Sequence, residues 1–403
     1  MNRTLGMVCC VLGLGAFTAP AFAHEAIGPP DGTTSDLRSI PVTSPPAPVR
    51  PFTPVPAPVA KLPPAESHAG GRWFYSSLPY GSEALVHPLR MVFNGGLGAL
   101  TFDQRSNRLA DVDFAHGWRR LWGDMRSPLT TIRETGWNHF LEAEIAPVSL
   151  SRKSGQYWPN YTLHLIGGGM SSVMMREWFE QHGWQHAALA SGVTMGAYHV
   201  LNETVEASTR TELSTDAVAD LLVFDPLGVW LFSHEGVDGF FSRRMHLRDW
   251  STQPAIDPVT GAVENHGQNF SMKLGVPRSD HWSLFYYFGN HGELGLSCKV
   301  SEEYALSAAA GIRASQLVDL GDGVQTVDLI PSAGFFVDRN GSLLFSVTTA
   351  TASRYGVRVN LYPGVLHVGP VSPGLFVLTS RDGGTILGIH LVQLPLGLAG
   401  RRS

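Results

Sequence analysis

Apolar positions along this chain follow two different rhythms. From about Asp113 to Phe241 they recur at helical spacing: Phe114, Trp118, Leu121 and Trp122 fall at i, i+4, i+7 and i+8, with Arg119, Arg120 and Asp124 left for the other side. Tyr161 to Glu180 and Ala187 to Ser208 predict two more helices, separated by a break at Gly183. Gly167, Gly168, Gly169, Ser171 and Ser172 place a run of small residues on the first of these. A helical glycine costs about 1 kcal/mol relative to alanine, so the run predicts a neighbour packed very close. From near His266 the rhythm changes to period two. Leu294, Leu296, Cys298 and Val300 alternate with Gly295, Ser297 and Lys299, and Tyr355, Val357, Val359 and Leu361 alternate with Gly356, Arg358 and Asn360. Asp338-Arg339-Asn340-Gly341 and Arg381-Asp382-Gly383-Gly384 sit between such runs as hairpin signals. The pattern predicts five to seven antiparallel strands, joined by further strands at Trp73 to Ser77 and Leu89 to Phe102.

The expected fold is α+β: an antiparallel β-meander closing into a small outer-membrane β-barrel, with a helical insertion. Strands with one apolar and one polar face suit a barrel in lipid; a soluble periplasmic sheet covered by the helices is the alternative. The terminal Leu396 to Ser403 lacks the final aromatic residue common in bacterial barrels. In domain terms the chain divides into a signal peptide (1–23), a proline-rich linker (24–68), a strand-forming segment (69–112), a helical region (113–250) and an antiparallel β region (251–403). The signal peptide is read from Arg3, the apolar stretch Leu5 to Phe17 and the small-residue ending Ala21-Phe22-Ala23. In the linker, ten of the 24 residues from Pro41 to Pro64 are proline, which excludes a helix or a central strand there.

Composition changes the picture in two ways. With 403 residues, 43% of them hydrophobic, the chain can build a sizeable core. Its 29 basic and 34 acidic residues give a net charge of −5, which offers no cationic field for nucleic acid. Removal of the signal peptide would leave one cysteine, Cys298, and so no internal disulfide. The expected location is the outer membrane, with the periplasm as alternative, and the expected partner is membrane lipid or another envelope component.

Candidate chemistry concentrates in the helices. His199, Glu203 and Glu206 lie at i, i+4 and i+7 inside an otherwise apolar segment, so they share one face. Buried charge needs a partner, and His164 on the preceding helix approaches Glu203 if the two form a hairpin. His164, His199, Glu203, Glu206 and Asp220 are the candidate polar network. Such a set pins helices in register, orients a ligand or moves a proton, or binds a divalent ion; the sequence leaves these open. Motifs for a cofactor are absent, as are HExxH, CxxC and a dinucleotide fingerprint. Thr194 stands where a nucleophile elbow has serine, inside a predicted helix.

The succession Trp158-Pro159-Asn160-Tyr161-Thr162-Leu163-His164, then His199-Val200-Leu201-Asn202-Glu203, then Ser214-Thr215-Asp216 and Asp220 to Gly228, resembles the pattern of uncharacterised bacterial envelope proteins related to the YfiM lipoproteins. It is more distantly similar to the VanZ-like family. The resemblance covers about 75 residues and makes His164, Glu203, Asp220 and Gly228 the matching positions. Asp225 stands near the place of a VanZ-like asparagine, one residue off in spacing. The resemblance implies an envelope location and no settled reaction. The expected role is structural, lipid-related or ligand-binding; a hydrolase-like enzyme acting on lipid or envelope glycan, with a histidine as general base and Glu203 orienting it, is the alternative.

Overall fold

The computed structural model describes residues 72–146, 159–210, 214–319, 325–351, 353–381 and 383–402; the expected signal peptide (1–23) and proline-rich linker (24–68) lie outside them. Five helices organise the first half: α1 (Pro88–Gly96), α2 (Phe114–Arg126), α3 (Gly169–Gln181), α4 (Ala187–Ala207) and α5 (Asp225–Leu231). A π-helical stretch, Asn160–Gly168, leads into α3, and another, Asp220–Phe224, leads into α5. The expected helices at Tyr161 to Glu180 and Ala187 to Ser208 are thus present, broken at Gly183, whose φ is 76°. The small-residue run does bring neighbours close. A Cβ on Gly169 would lie 2.7 Å from the Gly228 carbonyl oxygen, and one on Gly228 would lie 2.8 Å from that of Leu165. Helix α5 therefore crosses the start of α3 backbone against backbone.

Three expectations change. Leu89 to Phe102 is helix α1 followed by a short turn, Gly98–Thr101, and not a strand. Pro88 occupies the first turn, where its missing donor costs nothing, and His87 Nδ1 accepts from Leu89 N. Arg90 and Asn94, one turn apart and both buried, then donate to the carbonyls of Thr252 and Gly267. Trp73 to Ser77 is not a strand either. The amides of Trp73, Phe74 and Tyr75 all donate to Glu177, and that of Ser76 donates to Glu83, so no donor is left for a ladder over these four residues. Finally, α2 packs through Gly117, Leu121 and Asp124, while Trp118 and Trp122 stack on each other at the surface.

The sheet is larger than expected, with thirteen strands among the described residues. They are β1 (Arg248–Asp249), β2 (Ala255–Ile256), β3 (Val263–Glu264), β4 (Asn269–Gly275), β5 (Trp282–Gly289), β6 (His291–Lys299) and β7 (Tyr304–Asp319). Then follow β8 (Gln325–Arg339), β9 (Ser342–Ala350), β10 (Tyr355–Leu361), β11 (Gly374–Ser380), β12 (Thr385–His390) and β13 (Gly397–Arg402). The order is β1-β4-β5-β6-β7-β8-β9-β10-β11-β12-β13-β2-β3, antiparallel throughout except for β13 with β2. At the β8–β9 hairpin Asn340 and Gly341 both have positive φ, 51° and 81°, the conformation the Asn-Gly pair predicts.

No strand pair joins the two ends of this order, yet the sheet is strongly rolled. In a flat sheet, eleven steps of roughly 4.8 Å would separate β1 from β2 by about 50 Å. The chain covers the distance with the five residues 250–254, whose reach is about 20 Å. That segment contacts both ends. Trp250 N donates to Asn269 O and Thr252 N to Gly267 O on one side, and Gly397 N donates to Pro254 O on the other. Lys273 on β4 pairs with Asp338 on β8 although three strands lie between them. The aromatic core fills the roll: Trp250, Phe285, Tyr287, Phe336 and Tyr362 are fully buried together, and Trp250 Nε1 donates to Gly341 O at 2.8 Å.

The two faces of the sheet differ: the outer one carries a row of exposed apolar side chains, and the inner one mixes buried polar groups with the aromatic core. Leu284, Leu294, Leu296, Leu306, Phe335, Leu387, Ile389 and Leu398 point outward and are exposed. Glu293, Ser307, Arg313, Ser332 and Asp338 point inward and are buried. The inner polar groups pair with one another: Ser332 Oγ donates to Glu293 Oε1 at 2.7 Å, His291 Nδ1 lies 2.8 Å from the same oxygen, and Arg313 donates to the Thr101 carbonyl.

Candidate functional site

Helices α3, α4 and α5 and the two π-helical stretches bring one cluster together. His164 and Asp220 each sit within a π-helical stretch, a feature that recurs at functional sites because the widened turn redirects side chains. Asp225 opens α5, followed by Pro226 in the first turn; the sequence reads as a break there, but proline is tolerated at that position. His199 and Glu203, one turn apart on α4, face the same point.

Distances define the cluster. His164 Nδ1 lies 2.9 Å from Asp225 Oδ1 and forms a hydrogen bond with it. His164 Nε2 lies 3.2 Å from Asp220 Oδ2, and His199 Nδ1 lies 3.0 Å from Asp225 Oδ2. The two imidazole rings are 5.4 Å apart, with the Tyr198 ring 4.0 Å from that of His199. Glu203 is 1% exposed, and neither of its carboxylate oxygens has a hydrogen-bond partner. Two sets of donor atoms come within 4.8 Å of one another: His164 with His199 and Asp225, and His164 with Glu203 and Asp220.

Glu206 belongs to a neighbouring group instead. Arg210 Nη2 reaches Glu206 Oε1 at 3.0 Å and Asp216 Oδ2 at 2.7 Å, but is 4.0 Å from Glu203. Behind this pair, Asn160 Nδ2 donates to Glu144 Oε2 at 3.2 Å. No match to this chain is found among family models, curated proteins or solved structures. The cluster must be read from its own chemistry.

Burial opposes charge on every member, and the partners decide which groups keep it. Burial alone would neutralise His164, but Asp225, through its charge and its hydrogen bond, raises it to about 9, with Glu203 and Asp216 adding to the effect. His199 goes the other way: burial lowers it to about 4, against the pull of Asp225 and reinforced by charged His164. Burial, then the neighbouring carboxylates, push Glu203 and Asp220 well above the usual carboxylate range. Glu206 is lowered, because Arg210 and Arg105 outweigh its burial.

The cluster is not sealed. His164, Asp220, Glu206, Asp216, Tyr198 and Asn202 line one side of a cleft of about 750 Å³, part of it open solvent, and Asn94, Gln268 and Asn290 line the other. Of the residues expected from sequence, His164, His199, Glu203 and Asp220 thus converge, while Glu206 lines the cleft but pairs with Arg210. Asp225, Arg210, Asp216, Asn160 and Glu144 were not expected as members. Asn160 lies four residues before His164 and Asp225 five after Asp220, both close in sequence to expected members of the cluster. No comparable signal marks Glu144.

Proposed function

We propose that this protein is an outer-membrane β-barrel of the bacterial cell envelope whose helical unit holds a polar ligand site at the cleft. The observation that carries the barrel reading is the exposed apolar outer face of the sheet, which suits lipid, around an interior that holds hydrogen-bonded charged groups beside its aromatic core. The segment 250–254, bonded to both ends of the strand order, supports closure of the roll. Trp118, Trp122, Trp137, Trp184 and Trp230 are exposed on the helical side, and tryptophan at the surface is favoured where apolar and aqueous phases meet. No single described helix is long and apolar enough to cross a membrane; the bent pair Asp216–Leu231 and Glu235–Arg244 passes by length and composition only.

A binding role fits the cluster better than general-base catalysis. With its pKa raised to about 9, His164 would be about 1% deprotonated at pH 7. The hydrolase reading is favoured by one observation: His164, oriented by Asp225, opens onto the cleft together with Asp220. It predicts release of fatty acid from phospholipid, or of fragments from envelope glycan, abolished in Asp225→Asn; no turnover on either substrate class removes it. The barrel reading is tested by carbonate extraction of membranes and by gel migration with and without boiling. Carbonate-resistant protein that migrates faster unboiled is expected. Release into the soluble fraction would sink the proposal.

A further inference from the structure

The helical unit gathers six carboxylates, four of them buried, around the Arg210 guanidinium, with Arg105 also acting on Glu206. Glu144, Glu203, Glu206, Asp216, Asp220 and Asp225 all face this region, and Arg210 satisfies only Glu206 and Asp216 at contact distance. Asn160 donates to Glu144, and the two histidines lie against Asp225. Glu203 remains, and Asp220 meets only His164 Nε2, through one of its two oxygens. Both oxygens of Glu203 and Oδ1 of Asp220 are buried with no hydrogen-bond partner. Protonation does not solve this for Glu203, since a carboxylic acid's O–H also needs an acceptor. An unpaired buried carboxylate is costly, and donor atoms of His164, Glu203 and Asp220 all lie within 4.8 Å of one another, with Asp220 Oδ2 3.2 Å from His164 Nε2.

We propose that His164 Nε2, Glu203 and Asp220 bind a divalent first-row transition-metal ion of the zinc type, with a fourth coordination position open to the cleft. This deepens the ligand-site reading above by naming what the cleft holds. Three side-chain donors with one open position is the arrangement of a reactive zinc centre, and one imidazole with two carboxylates is a donor set such ions accept. The surroundings fit as well. Asp225 Oδ1 holds His164 Nδ1 at 2.9 Å, which fixes the ring and leaves Nε2 as the ligand, the carboxylate–histidine–metal relay that supports most histidine ligands. The competing set of His164, His199 and Asp225 would leave both Glu203 oxygens unsatisfied.

The test uses the untagged full chain folded in detergent. Zn²⁺ binding is measured by calorimetry, and Co²⁺ binding by its visible d–d absorption. One equivalent is expected, with Zn²⁺ displacing Co²⁺. Glu203→Gln and Asp220→Asn should each weaken binding at least about 100-fold, and Asp225→Asn, which leaves all three ligands, about 10- to 100-fold. His199→Ala should retain the metal. Each variant is run boiled and unboiled beside the wild type, so a folding defect is seen separately from a lost ligand. Absence of Zn²⁺ and Co²⁺ binding by the folded wild type overturns the proposal. So does wild-type affinity in folded Glu203→Gln and Asp220→Asn, or loss of the metal in His199→Ala alone. Metal binding without heat-modifiable migration would refute the barrel reading and leave this site standing.

Discussion

Substituting Leu296 puts the apolar outer face of the sheet to a quantitative test. Leu296 lies mid-strand on β6, opposite Leu284 of β5, and the two are 49% and 55% exposed. Fully burying a leucine side chain contributes about 1.5–3 kcal/mol, so the half left outside the protein represents roughly 0.8–1.5 kcal/mol that an apolar surrounding such as lipid would recover. Leu296→Ser should therefore cost about 1 kcal/mol in a bilayer and almost nothing in water. Leu296→Arg adds the desolvation of a guanidinium, and at mid-bilayer the total is about 2–4 kcal/mol. That corresponds to a roughly 30- to 700-fold change in the folding equilibrium. The assay is reversible urea titration of folding into phospholipid vesicles, followed by tryptophan fluorescence. Leu306, paired with Cys298 two residues nearer the β6–β7 turn and so about 7 Å along the strands, supplies the depth control: Leu306→Arg should cost less than Leu296→Arg. A Leu296→Arg cost within about 0.5 kcal/mol of zero, the usual effect of an exposed substitution in water, would refute the reasoning. Equal costs at the two depths would refute it as well.

Other measurements address the helical unit. Removing the buried cation in Arg210→Gln leaves Glu206 and Asp216 unpaired and should destabilise the fold by about 3–5 kcal/mol, read as a lowered denaturant midpoint; a change below about 1 kcal/mol would show the pair is solvated. In Gly228→Ala the new methyl meets the Leu165 and His164 carbonyl oxygens at 2.8 and 3.0 Å, so a loss of about 1–3 kcal/mol is expected, and unchanged stability would disprove the backbone crossing. Burial raises Glu83 to about 7, against the Ser76 amide bond and the Arg248 charge. The folded state thus holds a proton that the unfolded chain releases near pH 4.5, and the contribution of Glu83 to stability falls as pH rises through 4.5 to 7, by about 3 kcal/mol in all. Glu83→Gln should flatten that part of the stability–pH profile; parallel wild-type and variant profiles would count against it. Glu177→Ala should expose the Trp73 to Tyr75 segment to limited proteolysis, because three amides lose their acceptor; wild-type resistance would show that the segment is held by its ring contacts instead.

What could be read from sequence was whatever repeats locally. The period-two runs of β6 and β10, the Asn340-Gly341 turn and the helices on either side of Gly183 all follow from neighbours a few residues apart. The convergence of His164, Glu203 and Asp220 was legible for a related reason: apolar helices leave a charged group few alternatives to another charged group. Partners fixed over long separations were not legible. Leu89 to Phe102 has strand-like composition, and its helix is secured by Arg90 and Asn94 reaching carbonyls more than 150 positions away. Trp73 to Ser77 lost its place in the sheet to Glu177, about a hundred residues downstream. Strand number was underestimated because β4, β5 and β8 carry polar or small residues on their inner face without regular alternation, Lys273, Ser332 and Gly334 among them. Trp118 and Trp122 satisfied helical spacing, yet spacing alone does not say whether a stripe meets a core or a surface.

The parallel pair between β13 and β2 also constrains the order in which the molecule can be made. Gly397 meets Ala255 and Leu398 meets Ile256, so the contact that ties the last described strand to the residues following the helices waits until ten intervening strands have been synthesised. Until then β12 presents an open edge, a known template for wrong pairing, and contacts of such sequence separation form slowly. The helical unit, complete long before, must keep its six carboxylates satisfied without the finished sheet beside it. Biogenesis of this chain should accordingly depend on factors that shield a nascent β-edge, and its most vulnerable moment is the interval between the synthesis of β4 and the arrival of β13.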